Sequence, residues 1–184
     1  MVNYNNSLIY SYNKPLNYFL TLISKYKKSE FVFDLDGYQL FLDYLNEFSF
    51  LIKYTKNNSS AQLELWTKYR VIPTVSFFKK CLNKIRPEKV LILCYYSEDI
   101  MAFIVAANQL GIETVEMQHG PQTDIHLSYG SWSKVPETGY DMLPRTYWCW
   151  DFYSKNGLQK WIDSNKLYSI KVTGNPWVNY WKSK

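Results

Sequence analysis

From Pro87 onward the chain alternates between short apolar runs and amphipathic stretches. Val90-Leu91-Ile92-Leu93-Cys94-Tyr95-Tyr96 is unbroken and apolar, the pattern of a strand buried on both faces of a parallel sheet. Ser97 is placed to cap the next helix, with Glu98 and Asp99 in its first turn, where carboxylates favour the positive end of the helix dipole. That helix is predicted from Glu98 to Leu110 and stops at Gly111, a residue suited to a left-handed C-terminal position. A strand from Glu113 to Gln118, a loop from His119 to Pro144 and a short strand from Thr146 to Trp150 follow. Asp151 to Ile162 reads as a helix capped by Asp151, and Tyr168 to Val172 as a last strand ending in Thr173-Gly174-Asn175-Pro176. Strand–helix–strand–loop–strand–helix–strand predicts an α/β fold, a Rossmann-like parallel sheet with right-handed crossovers, flanked by helices. The loop after the second strand is long for a compact domain, and such loops carry function or move.

The first half is less regular. Pro15 precedes a helical spacing through Ile23, and Phe31-Val32-Phe33 is a strand candidate ending in Asp34-Leu35-Asp36-Gly37. Leu40, Phe41, Tyr44, Leu45, Phe48 and Leu51 recur at helical intervals. Asn57-Asn58-Ser59-Ser60 is the clearest linker. A helix is predicted from Ala61 to about Ile85, perturbed at Pro73 because proline lacks a backbone donor. The organisation expected is a helical and strand segment over residues 1–60, packed on or joined to the sheet domain over 61–184, the two forming one structural unit.

Composition narrows the class. With 47% apolar and 20% charged residues the chain is globular. Aromatic content is high at 18%, with 17 Tyr and 7 Trp; such density suits either sugar- or base-stacking surfaces or core filling. The net charge of +5 comes from scattered lysines. It suits weak attraction to phosphate-bearing substrates or peripheral contact with an anionic membrane, and lacks the concentrated basic face of a nucleic-acid binder. Cys81, Cys94 and Cys149 have no metal-ligand spacing and read as free thiols of a reducing, cytoplasmic compartment. Met1 to Ser11 lacks the basic start and apolar core of a signal peptide. The longest wholly apolar run, Ile100 to Ala107, falls short of the roughly 20 residues of a membrane-spanning helix.

Candidate chemistry gathers at strand ends. Ligands of open α/β sheets sit beyond the carboxyl ends of the strands, which makes His119-Gly120 the first place to look. Glu116 shares a strand face with Gln118, and is either a buried carboxylate that orients His119 or a strand-edge residue in water. His126 is either a second substrate contact or an exposed loop residue. Tyr129, Trp132 and Tyr140 either stack on sugar rings or anchor the loop. Tyr95, Tyr96, Ser97 and Glu98 are expected to border the same edge; Ser97 reads as a cap, since no Gly-x-Ser-x-Gly elbow surrounds it. Phe31 to Gly37 resembles the first motif of haloacid-dehalogenase phosphatases, but Tyr38 departs from that pattern and no downstream metal-holding pair follows, so Asp34 and Asp36 read as turn residues. There is no P-loop, GxGxxG or HExxH, and no metal site or cofactor is implied.

Two strand ends in this order, Gln118-His119-Gly120 and Val172-Thr173-Gly174-Asn175-Pro176, resemble the N-terminal half of GT-B fold enzymes. The nearest groups are QHG-type glycosyltransferases of bacterial capsule and surface polysaccharide synthesis. The second motif is also similar to the hinge of non-hydrolysing UDP-N-acetylglucosamine 2-epimerases, and the His-Gly to CDP-glycerol glycerophosphotransferases. The resemblance covers Val90 to about Trp181. It implies an acceptor-side domain facing a cleft, with His119 as general base or phosphate contact, Gly120 allowing close backbone approach, and Gln118, Gly174 and Asn175 beside the substrate. Asn175 and Pro176 would mark the crossing into a donor-binding half. No second α/β unit follows before Lys184, so either a partner chain or a missing C-terminal domain is expected to bind the nucleotide-sugar donor, or the domain is a non-catalytic glycan- or protein-binding module with a half GT-B fold. The acceptor would be a glycan or a lipid-linked saccharide.

Overall fold

The computed structural model describes residues 43–48, 65–123, 125, 126, 128–130, 132, 135–163 and 165–184. The elements expected around residues 15–23, 31–37 and 57–60 lie outside them. The chain divides into two compact units, Met1–Thr74 and Val75–Lys184. In the first, residues 43–46 are helical, with the Tyr44 and Phe48 rings edge-on at 5.3 Å. The disturbance expected at Pro73 is a π-helical turn, Thr67–Val71, leading into helix α1 (Ile72–Ile85). Proline brings no N–H to the carbonyl four residues back and its ring crowds that carbonyl. The backbone widens by one residue instead, so that Ile72 N–H reaches Thr67 O, and Thr74 Oγ1 donates to Arg70 O at 2.7 Å.

The second unit holds β1 (Lys89–Ile92), α2 (Glu98–Gln109), β2 (Glu113–Met117), β3 (Thr146–Cys149), α3 (Phe152–Ile162), β4 (Ser169–Val172) and α4 (Pro176–Lys182). The strands form one four-stranded sheet in the order β1-β2-β3-β4, every neighbour parallel. This is the Rossmann-like α/β fold expected. Right-handed crossovers in an unbroken strand order carry successive connections over the same face. On β1, Val90 and Ile92 are buried, while Leu91 and Leu93 stand 53% and 57% exposed. The expectation that this run is buried on both faces is thereby corrected for β1, an edge strand; Val115 of β2, in register with Leu91, is fully buried. An unbroken apolar run does not distinguish an edge strand from a central one.

The core lies on the α2/α3 side. Ala102, Ile104, Ala106 and Ala107 of α2 and Leu158, Trp161 and Ile162 of α3 are buried. Gly111 has φ +71, the left-handed C-terminal residue expected. Asp151 caps α3, its Oδ1 accepting from Ser154 N at 2.8 Å. Ser97 takes the N-cap position of α2 without a side-chain bond; only its carbonyl acts, accepting from Met101 N at 2.8 Å.

Described parts of the connection between β2 and β3 are packed into the unit, while Ile125 stays exposed. Leu143 and Pro144 are fully buried and Gln122 nearly so. Asn108 of α2 donates to Asp141 O at 2.7 Å and Leu143 O at 3.0 Å, while Asn165 donates to Pro136 O at 2.7 Å. Gly139, at φ +65, is the tightest point: a Cβ there would lie 2.6 Å from Tyr168 Oη and 2.8 Å from Arg145 Nη1. Gly139→Ala therefore combines a left-handed backbone with a clash and is expected to cost about 2–4 kcal/mol. Gly120→Ala, where a Cβ meets nothing within 4 Å, is expected to stay within about 0.5 kcal/mol; urea unfolding of the two variants checks the contrast.

Candidate functional site

Glu116 decides how the carboxyl edge of the sheet is built. It sits on β2 in register with Ile92 of β1 and Tyr147 of β3, and is 1% exposed. Of the two environments open to it, burial is the one found. Its partner, though, is Tyr129, whose hydroxyl donates to Glu116 Oε1 at 2.5 Å; the described hydrogen bonds of Glu116 include none to His119. Oε2 has no hydrogen-bond partner among the described residues. Burial pushes the carboxyl up to about 8, against smaller opposing effects from the Tyr129 hydroxyl and the Tyr95 backbone.

Around this carboxyl an aromatic cluster ties the loop to the sheet. Tyr95, at the end of β1, is buried and donates to Ser128 O. Its ring meets Tyr129 at 5.7 Å and Tyr147 at 6.5 Å. Trp132 Nε1 donates to Ser128 O at 3.0 Å, and Trp161 Nε1 of α3 to Tyr129 O at 2.7 Å. Tyr140 N donates to Tyr168 Oη at 2.6 Å. Tyr129, Trp132 and Tyr140 are thus loop anchors in the described contacts.

Above the cluster opens a cavity of about 550 Å³, lined by Tyr96, His119, Gly120, Gln122, His126 and Tyr129 among others. The chain has two histidines, and both line it. His119 is exposed. Partial burial, and secondarily the proximity of His126, hold its imidazole below the ordinary value, so it is a neutral base at neutral pH. Tyr96 lies between the two, its ring 6.4 Å from His119 and 5.8 Å from His126. His126 Nδ1 accepts from Ser128 N at 3.2 Å, which leaves Nε2 to carry the proton of the neutral ring.

The other predicted residues fall elsewhere. Gln118 is buried and fully engaged: it donates to Gly120 O at 2.9 Å and Ser154 Oγ at 3.0 Å, and accepts from Trp150 N at 2.6 Å. It clasps the ends of β2 and β3 to the start of α3. Ser97 and Glu98 begin α2 and are not among the cavity's lining residues. Gly174 has φ +78, and Asn175 caps α4, its Oδ1 accepting from Trp177 N at 3.0 Å and Val178 N at 3.4 Å. Both follow β4, two strands from β2, a lateral separation of about 10 Å. Gln122 and Tyr96 line the cavity, and the sequence offered no signal for Gln122. The cysteines are free, and burial pushes the Cys149 thiol up to about 12. No cluster of three metal-ligating side chains occurs among the described residues. No described helix is long and apolar enough to cross a membrane.

No family model, no curated protein and no solved structure matches the chain.

The raised Glu116 carboxyl has a measurable consequence. Its folded value of about 8 lies above the ordinary 4.5, so between those values the folded chain holds a proton that the unfolded chain has released. Stability conferred at low pH is lost as pH rises through that window, by up to about 1.4 kcal/mol per unit. Urea unfolding from pH 5 to pH 9 should show this slope in the native chain; Glu116→Gln should flatten it and be the more stable form at the alkaline end.

Proposed function

We propose that the Rossmann-like unit is the acceptor-side half of a GT-B-like glycosyltransferase of bacterial surface polysaccharide synthesis, working with a donor-binding half on another domain or chain. One observation carries the reading: the chain's two histidines line one cavity at the carboxyl edge of a parallel sheet, where such folds bind ligands. The resemblance of Gln118-His119-Gly120 and Val172 to Pro176 to that enzyme class supports the assignment.

In this reading His119 is the general base. A glycan or lipid-linked hydroxyl lies in the cavity and gives its proton to the neutral imidazole as its oxygen bonds to the anomeric carbon of the donor sugar. The bond from that carbon to the diphosphate oxygen breaks, and the electron pair leaves with the nucleoside diphosphate. Depression of the His119 value keeps the base unprotonated at neutral pH. His126, with Nε2 protonated, donates to a substrate oxygen, and Tyr96 between the rings covers the apolar face of a sugar. Gly120 leaves open space beside the base.

A second reading follows from a different observation. Gln118 and Asn175, the polar residues of the two motifs, are engaged by the chain's own backbone. A glycan-binding module without transfer activity needs only the cavity.

His119→Ala separates the two. In extracts of the producing cell, complemented with the variant, transfer of labelled sugar to endogenous acceptor is expected to fall by about 100-fold or more, with unchanged thermal unfolding. In the native protein the rate should fall on acidification with a midpoint below 6.5, the ordinary imidazole value. Undiminished transfer by His119→Ala would overturn the assignment of the base.

A further inference from the structure

We propose that α4 is a membrane-docking element, its aromatic face entering the headgroup layer of an anionic bilayer while neighbouring lysines meet the lipid phosphates. The face is built by helical spacing. Trp177, Tyr180 and Trp181 stand at i, i+3 and i+4, one side of the helix, and Lys184 follows just past its end. Their rings form a continuous surface, Trp177 to Tyr180 at 6.0 Å, Trp177 to Trp181 at 5.7 Å and Tyr180 to Trp181 at 5.5 Å. Lys184 Nζ lies 4.6 Å and 5.5 Å from the centres of the Tyr180 and Trp181 rings.

A globular protein ordinarily turns such a face against its own core. Here α4 contains no buried residue, and Trp177, Tyr180 and Trp181 are 66%, 49% and 56% exposed. Residue type and charge identify the occupant. Tryptophan and tyrosine combine a large apolar ring with a polar edge, and concentrate where hydrocarbon gives way to headgroups. Residues 173–184, which hold α4, contain two lysines, Lys182 and Lys184, and no aspartate or glutamate; both lysines are exposed. An acid-free basic segment carrying exposed aromatics complements an anionic lipid surface. A second copy is a poorer occupant, because a two-fold contact through α4 would set its lysines against their own equivalents. A seven-residue helix is too short to span a bilayer and suits lying in its surface. It leaves the carboxyl edge of the sheet, the edge that also carries the histidine cavity. The inference stands on α4 alone and does not depend on glycosyl transfer.

Co-sedimentation of the full 184-residue chain with vesicles tests it. Mixed phosphatidylglycerol/phosphatidylcholine vesicles should retain the protein and blue-shift its tryptophan emission; phosphatidylcholine alone should bind it weakly, and added salt should release it. Lys182→Gln with Lys184→Gln is expected to lower the partition coefficient about 30-fold, at roughly fivefold per lysine removed from an anionic surface. Trp177→Ala with Trp181→Ala should abolish the emission shift without altering thermal unfolding, since neither ring is buried. Failure to bind anionic vesicles, or binding unchanged by the tryptophan substitutions, would overturn the proposal. So would a self-association that Trp177→Ala abolishes in the absence of vesicle binding.

Discussion

A carboxyl group buried on the second strand and hydrogen-bonded to a tyrosine hydroxyl sets the shape of the carboxyl edge of this sheet. Removing Glu116 from water is unfavourable for its charged form, and the Tyr129 bond at 2.5 Å offsets only part of that. The group is therefore held neutral near physiological pH, and Tyr129 is held down in turn. Because Tyr129 belongs to the β2–β3 connection, the bond joins those from Tyr95 to Ser128 O and from Trp161 to Tyr129 O in holding the first turns of that segment over the strand ends. Tyr95 below, Trp161 beside it and the His126 ring at 4.8 Å complete the enclosure.

The cavity inherits its geometry from that tie. His126 reaches the site because Tyr129 N and Gly130 N both donate to its carbonyl, at 2.9 Å and 2.8 Å, closing a turn that starts at the anchored tyrosine. His119 reaches it because Gln118 clamps β2 to Trp150 and Ser154 immediately before. The residues that resembled a substrate-binding motif thus divide into two kinds. Gln118 and Asn175 hold backbone; His119 and Gly120 line the cavity, as does His126 from outside the motif.

The fold was largely legible in the sequence, and the site half so. Strand runs at Val90, Glu113, Thr146 and Tyr168, the Asp151 cap and the stop at Gly111 are local signals, written in residues a few positions apart, and they appear where expected. What local pattern does not carry is partnership at a distance. Glu116 pairs with a tyrosine across a loop, a hydroxyl no more conspicuous in the sequence than the chain's sixteen other tyrosines (17 in all). Ser97 occupies its cap position while its hydroxyl makes no bond there, because cap chemistry depends on a rotamer as well as on residue type. The exposed side of β1 follows from its place at the sheet edge, which periodicity leaves open. Gly174 and Asn175 were grouped with His119 by motif, whereas the sheet order sets a whole strand, β3, between them.

Amide hydrogen exchange of the native chain and of Tyr129→Phe is the most direct test that the buried carboxyl–hydroxyl bond builds the site. Loss of the bond should speed exchange of the Tyr129 and Gly130 amides by about tenfold, the equivalent of one ordinary hydrogen bond, while amides of β1, β2 and β3 keep their native rates. Unchanged protection at Tyr129 and Gly130, or a uniform acceleration across the whole sheet, would contradict the account.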